Sequence, residues 1–130
     1  MESRYLYRGK RIDNGKWVEG YLSYPFCTEK GNESYYFYAK DSLDFFCHCV
    51  VDASTICQCT GLKDKNGRLI WENDIVKCGN TTAVIWDEHF ASWCLTKKRW
   101  MFHHFFGESQ SAEDCEVIGN TFDNPELLEV

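Results

Sequence analysis

A chain of 130 residues that is 44% apolar and 16% aromatic is too rich in core-forming side chains to be disordered, and long enough to bury a core without disulfide or metal staples. Its formal net charge of −6 argues against a general affinity for the nucleic-acid backbone, which is driven by lysines and arginines displacing phosphate counterions. No apolar run approaches the length that crosses a bilayer and no apolar segment follows the basic start MESRYLYRGKR, so the expectation is a cytosolic, membrane-free protein with reduced thiols.

Turn signals punctuate the whole chain: Asn14-Gly15, Gly31-Asn32, Asn66-Gly67, Gly79-Asn80 and Gly119-Asn120. Between them lie KWVEGYLSY, SYYFYA, FFCHCVV, RLIW, DIVKC, TAVIW, SWCLTK and CEVIG. All are rich in β-branched and aromatic residues, and short strands between turn residues predict an all-β architecture of hairpins. In the middle, Asp64-Lys65-Asn66-Gly67 predicts a tight connection with Asn66 or Gly67 at positive φ, folding Leu62 back near Ile70. Beyond it, Ile75 and Lys77 should face one way and Val76 and Cys78 the other. KKRWMFHHFF is read as strand or loop. At the end, NPELLEV carries a capping Asn124, Pro125 at a first helical position and an acidic Glu126, which predicts one short helical turn with Leu127 and Leu128 inward. The N-terminal RGKRIDNGKWVEGYL and the central GLKDKNGRLIWENDIV share a faint pattern, which common hairpin chemistry explains more simply than duplication.

The strand count fits a small SH3-like barrel in the C-terminal part, preceded by an N-terminal β-hairpin extension and closed by the helical turn. Residues 1–58 are assigned to an N-terminal antiparallel β region and residues 59–130 to the barrel region, as one continuous structural unit.

Three blocks resemble the YopX family of phage and prophage proteins: RGKRIDNGKWVEGYL, VDASTICQCTGLKDKNGRLIWENDIVKC and VIGNTFDNPELLE, in that order and over roughly half the chain. The resemblance implies a β-rich protein with a C-terminal SH3-like barrel, encoded in phages and integrated prophages, and it implies no established activity or catalytic residue. Where members usually carry an aromatic before Thr-Gly-Leu this chain has Cys59, and Asn73 stands where they usually carry glycine. Asparagine is the commonest substitute for glycine at positive φ, so the turn at Asn73 is expected to survive.

Eight cysteines invite a metal reading. Cys47-His48-Cys49 and Cys57-Gln58-Cys59 supply soft ligands, but structural zinc sites favour two to four intervening residues, and thiols two apart in a strand sit about 6–7 Å apart on one face. They read as core cysteines, and no cofactor or metal is expected. His103-His104 should point to opposite faces of a strand, and His89 beside Asp87 and Glu88 reads as a solvated turn. Glu72 and Asp74 resemble the paired carboxylates of acid-base catalysis, yet a turn uses such residues to bind its own amides. No Gly-x-Ser-x-Gly elbow or phosphate-cradling glycine loop is present, and the chain is read as non-catalytic.

Aromatic density points outward. Tyr35, Tyr36, Phe37 and Tyr38, with Phe45 and Phe46, put rings on both faces of their strands, more than one core absorbs. A second copy of the chain, or another phage or host protein, is the expected cover, and a homo-oligomer is favoured. The alternative is a nucleic-acid-binding barrel that uses Lys97, Lys98 and Arg99 beside Trp100, with a second basic group at Arg8, Lys10 and Arg11.

Overall fold

The computed structural model describes residues 5–29, 32–39, 48–96, 104–106 and 111–128, with the backbone alone at 22–29, 32–39, 48–49 and 104–105. The fold is all-β, with two antiparallel sheets and no helix longer than a single 3-10 turn among the described residues. The chain divides into two compact units, residues 1–59 and 60–130.

In the first unit β1 (Tyr7–Lys10), β2 (Trp17–Glu29), β3 (Asn32–Ala39) and β4 (His48–Asp52) form a meander, and β1 also pairs with the start of β5 (Cys57–Lys63). The β1–β2 connection is closed at both ends. The Arg11 amide donates to the Lys16 carbonyl at 2.9 Å, the Gly15 amide to the Arg11 carbonyl at 2.9 Å, and Gly15 takes the positive φ of 70° that the Asn-Gly pair predicts. Pro25 lies inside β2, at an irregularity in its pairing with β3, where a residue that cannot donate to the ladder is tolerated. The core here is Leu6, Val51, Cys57 and Cys59, all buried. Gly9 lets the backbone approach: a Cβ there would sit 3.3 Å from that of Val51. The same end of β1 is bridged to β4, through Arg11 opposite Val51 and the Ile12 amide on the Val50 carbonyl at 3.1 Å. A 3-10 turn, Ala53–Thr55, leads into β5 and is capped by Asp52, whose carboxylate accepts from the Ser54 amide.

In the second unit the end of β5 turns into β6 (Leu69–Trp71). The order of the five-stranded sheet is β10-β9-β8-β7-β11, built from β7 (Asp74–Cys78), β8 (Asn80–Asp87), β9 (Ser92–Thr96), β10 (His104–Phe105) and β11 (Glu116–Asn120). Four successive strands form a meander, and β11 returns beside β7, the first of them. Alternation decides the core: Val76, Val84, Leu95 and Val117 pack with Ile70, Ala112 and Cys115, while Leu62, Cys78, Trp93 and Phe106 close over them. Leu62 thus packs against the cluster that holds Ile70, and Val76 and Cys78 share one face while Lys77 is exposed. The terminal turn, Pro125–Leu128, is a 3-10 turn rather than an α-helical one, with Leu127 and Leu128 half-buried. Nothing in the described residues makes the five-stranded sheet a closed barrel.

Candidate functional site

The acidic residues of the central stretch are bound to their own backbone. Asp64 is 4% exposed, and its carboxylate accepts from the amides of Asn66 at 2.9 Å, Arg68 at 2.9 Å and Val117 at 3.0 Å. Burial pushes its pKa up, but those amides and the Arg68 charge outweigh burial and hold it below the ordinary carboxylate value. One oxygen therefore shapes the β5–β6 turn while the other fastens β11 to it. The Gly67 amide donates to the Asp64 carbonyl, and Gly67 takes the positive φ. Asp74, equally buried, accepts from the Trp71 amide at 2.8 Å. Between it and Glu72, Asn73 sits at φ 69°, its amide on the Val84 carbonyl and its carbonyl holding Thr121. Asp74 thus serves the turn. A groove of about 400 Å³ lies beside Leu62, Lys63, Asp64, Ser111 and Glu113, but its buried carboxylate is the one already saturated by three amides.

No group of three or more potential metal ligands occurs among the described residues. Cys57 and Cys59 are buried, and the Cys57 thiol donates to the Thr55 carbonyl at 3.3 Å. Cys47 lies outside the described residues, as does His103. His48, Cys49 and His104 are placed by strand register only. His89 is exposed in the β8–β9 turn, where its amide donates to the Asp87 carboxylate at 2.9 Å. In the second unit the Cys115 thiol is pushed up to about 12, first by burial, then by the hydrogen bond and charge of Cys78 and by the charges of Asp114 and Asp64.

Of the aromatic residues singled out in the sequence, Tyr35, Tyr36, Phe37 and Tyr38 lie on β3, an interior strand paired on both sides. Its backbone is therefore closed to a further strand. Phe45 and Phe46 lie outside the described residues. The same is true of Lys97, Lys98, Arg99 and Trp100. The other basic group is engaged within its hairpin. Arg8 stands 4.7 Å and Lys10 5.3 Å from the Trp17 ring centre, and Arg11 grips Asp13 through two hydrogen bonds, holding that carboxyl below its ordinary pKa.

A surface that sequence reading missed is the β8–β9 hairpin. Trp86 and Trp93 are cross-strand partners whose rings meet edge to face at 5.1 Å. Trp93 packs on the core, whereas Trp86 remains 43% exposed and Phe90, in the turn with its ring edge-on to His89, 59% exposed. The signal was present in TAVIWDEHFASW: two aromatics at symmetrical positions about a turn that offers no apolar burial of its own.

These features describe an all-β protein in which the buried carboxylates of Asp64 and Asp74 accept from backbone amides and in which, among the described residues, Trp86 and Phe90 are exposed. A family model described as YopX protein matches residues 6–129, nearly the whole chain, and the chain belongs to that family. A search of curated proteins finds no match. No helix among the described residues is long and apolar enough to cross a membrane.

Proposed function

We propose that the chain is a non-catalytic accessory protein encoded by a phage or prophage, acting in the bacterial host cytoplasm as a protein-interaction module that associates with copies of itself. The observation that carries this reading is the aromatic end of the β8–β9 hairpin, where Trp86 and Phe90 are largely exposed beside a Trp93 rooted in the core. Rigid rings on a rigid hairpin cost little conformational entropy to bury, and large aromatics are enriched at the centres of protein interfaces. Tyr35, Tyr36, Phe37, Tyr38, Phe45 and Phe46 are proposed to contribute a second patch of the same character. Within this reading the second unit is an SH3-like barrel: a meander, a 3-10 turn at Ala112–Asp114 and a last strand returning beside the first support it.

Size-exclusion chromatography with light scattering tests the proposal. A mass above that of one chain at micromolar concentration is expected, shifting toward the monomer in Trp86→Ser/Phe90→Ser. A stable monomer of the unaltered chain in that range sinks it.

A further inference from the structure

We propose that Cys78 and Cys115 form a redox-active dithiol, which a small-molecule disulfide converts into a cross-strand bond locking the last strand of the second unit to the first strand of its meander. The strand register carries the inference. Glu116 lies opposite Lys77 and Val117 opposite Val76, so one step back along β11 sets Cys115 opposite Cys78. Neither backbone group of Cys115 turns toward β7: its amide donates to the Ala112 carbonyl at 3.0 Å and its carbonyl accepts from Lys65 at 2.9 Å. The two cysteines thus face each other at a non-hydrogen-bonded position of the ladder. Cα atoms there approach to about 4.5 Å, and side chains come closest, which is inside the roughly 4.4–6.8 Å that a disulfide spans. Both belong to the same packed cluster, and both are free thiols.

Their environments differ, and the difference assigns the roles. Cys78 is half-buried at the tip of a tight turn made by Gly79 at φ 87°, whereas Cys115 is fully buried, its thiol donating to the Ser111 carbonyl at 3.4 Å. Cys115, its thiol pushed up to about 12, stays protonated and shielded, so the first attack falls to Cys78. The Cys78 thiolate, its proton released to solvent, attacks one sulfur of the reagent. The reagent's S–S bond breaks and one thiolate leaves, giving a mixed disulfide on Cys78. Cys115 then attacks the Cys78 sulfur, and its proton passes to the second departing thiolate as the protein S–S bond forms. Two protein thiols are oxidised to one disulfide, and the reagent is reduced to two thiols.

Cys57 and Cys59 are two apart on one strand, a spacing that exceeds or strains disulfide geometry, so they serve as internal controls.

The test exposes the unaltered chain to oxidised glutathione and maps the cysteines by mass spectrometry of a non-reducing digest. The expected product is a Cys78–Cys115 cross-linked peptide, with loss of two hydrogens from the intact mass and full reversal by dithiothreitol. In Cys115→Ser the reaction should stop at a stable glutathione adduct on Cys78. The assignment is overturned if the unaltered chain carries the adduct on Cys78 while Cys115 remains a free thiol. It is equally overturned if Cys78 cross-links to another cysteine, or stays reduced while Cys57 or Cys59 oxidises. The unaltered chain decides the matter even where a variant does not fold.

Discussion

Asp64 is the residue on which the second unit turns. Its carboxylate joins three amides from two segments far apart in sequence, and a buried charge is tolerable only because those donors replace water. Asp64→Asn keeps the size but places an amide N–H group against backbone N–H groups. Hydrogen bonds to charged groups contribute about 1.5–3 kcal/mol each, and the substitution should cost roughly 2–4 kcal/mol, measured as a lower urea midpoint at unchanged slope. The pH dependence has a definite sign. The folded-state pKa is depressed, so the contribution is fully present above the unfolded carboxylate value of about 3.9 and is lost as pH falls through the folded one. The acid limb of the stability curve should therefore be shallower in Asp64→Asn than in the unaltered chain. Asn73 shows what was legible at this scale: a non-glycine residue in a glycine position predicted positive φ, and φ is 69°. The reach of Asp64 to Val117 was not legible, because a tertiary hydrogen bond to an amide leaves no mark in the residue type of its distant partner.

At the scale of elements, hairpins were the readable part. The segments FFCHCVV and SWCLTK run partly outside the described residues, but where the strand-like segments are described they lie in strands except for the leading residues Lys16, Arg68 and Cys115, because β-branched and aromatic residues between turn signals leave little else to form. The two Asn-Gly connections look alike in sequence yet differ in construction. Asp13 stands two residues before its glycine and grips Arg11 in solvent, whereas Asp64 stands three before and turns inward to bind Asn66, Arg68 and Val117. The single turns Ala53–Thr55 and Ala112–Asp114 went unread because three residues show no helical period. The terminal turn was read, but not its anchor. Gly119 on β11 has no Cβ, and the Asn124 side chain fills that place: a Cβ would lie 2.6 Å from its Oδ1 and 3.0 Å from its own Cβ. That oxygen accepts from the Asn120 amide at 3.3 Å. Gly119→Ala should displace Asn124 and free the turn, costing about 1–3 kcal/mol as overpacking does. Hydrogen exchange should rise across residues 121–128. Asn124→Ala alone should cost less, and combining the two should cost less than their sum, since one contact underlies both.

For the whole molecule, charge and aromatic content set the expectation for partners, and they pull the same way. A net charge of −6 repels a polyanion, and three basic residues that seemed free to oppose it are engaged: Arg8 and Lys10 flank the Trp17 ring, and Arg11 is paired with Asp13. What the sequence could not show was this internal use of cations, since a basic cluster reads the same whether its partners lie in the protein or in solvent. The remaining case for nucleic acid rests on Lys97, Lys98 and Arg99 beside Trp100. Three phosphate contacts on a single strand would give a slope of log K on log salt of about −2, from roughly −0.7 per contact, so low salt is where binding would be seen. Fluorescence anisotropy of a labelled single-stranded oligonucleotide should stay flat at low salt and micromolar protein. A rise that collapses on adding salt, and is lost in Lys97→Glu/Arg99→Glu, would establish the nucleic-acid reading, with Trp100 as its base-stacking ring. The two surfaces are separable, because Trp86→Ser/Phe90→Ser should alter the mass in light scattering while leaving any such salt-sensitive signal in place.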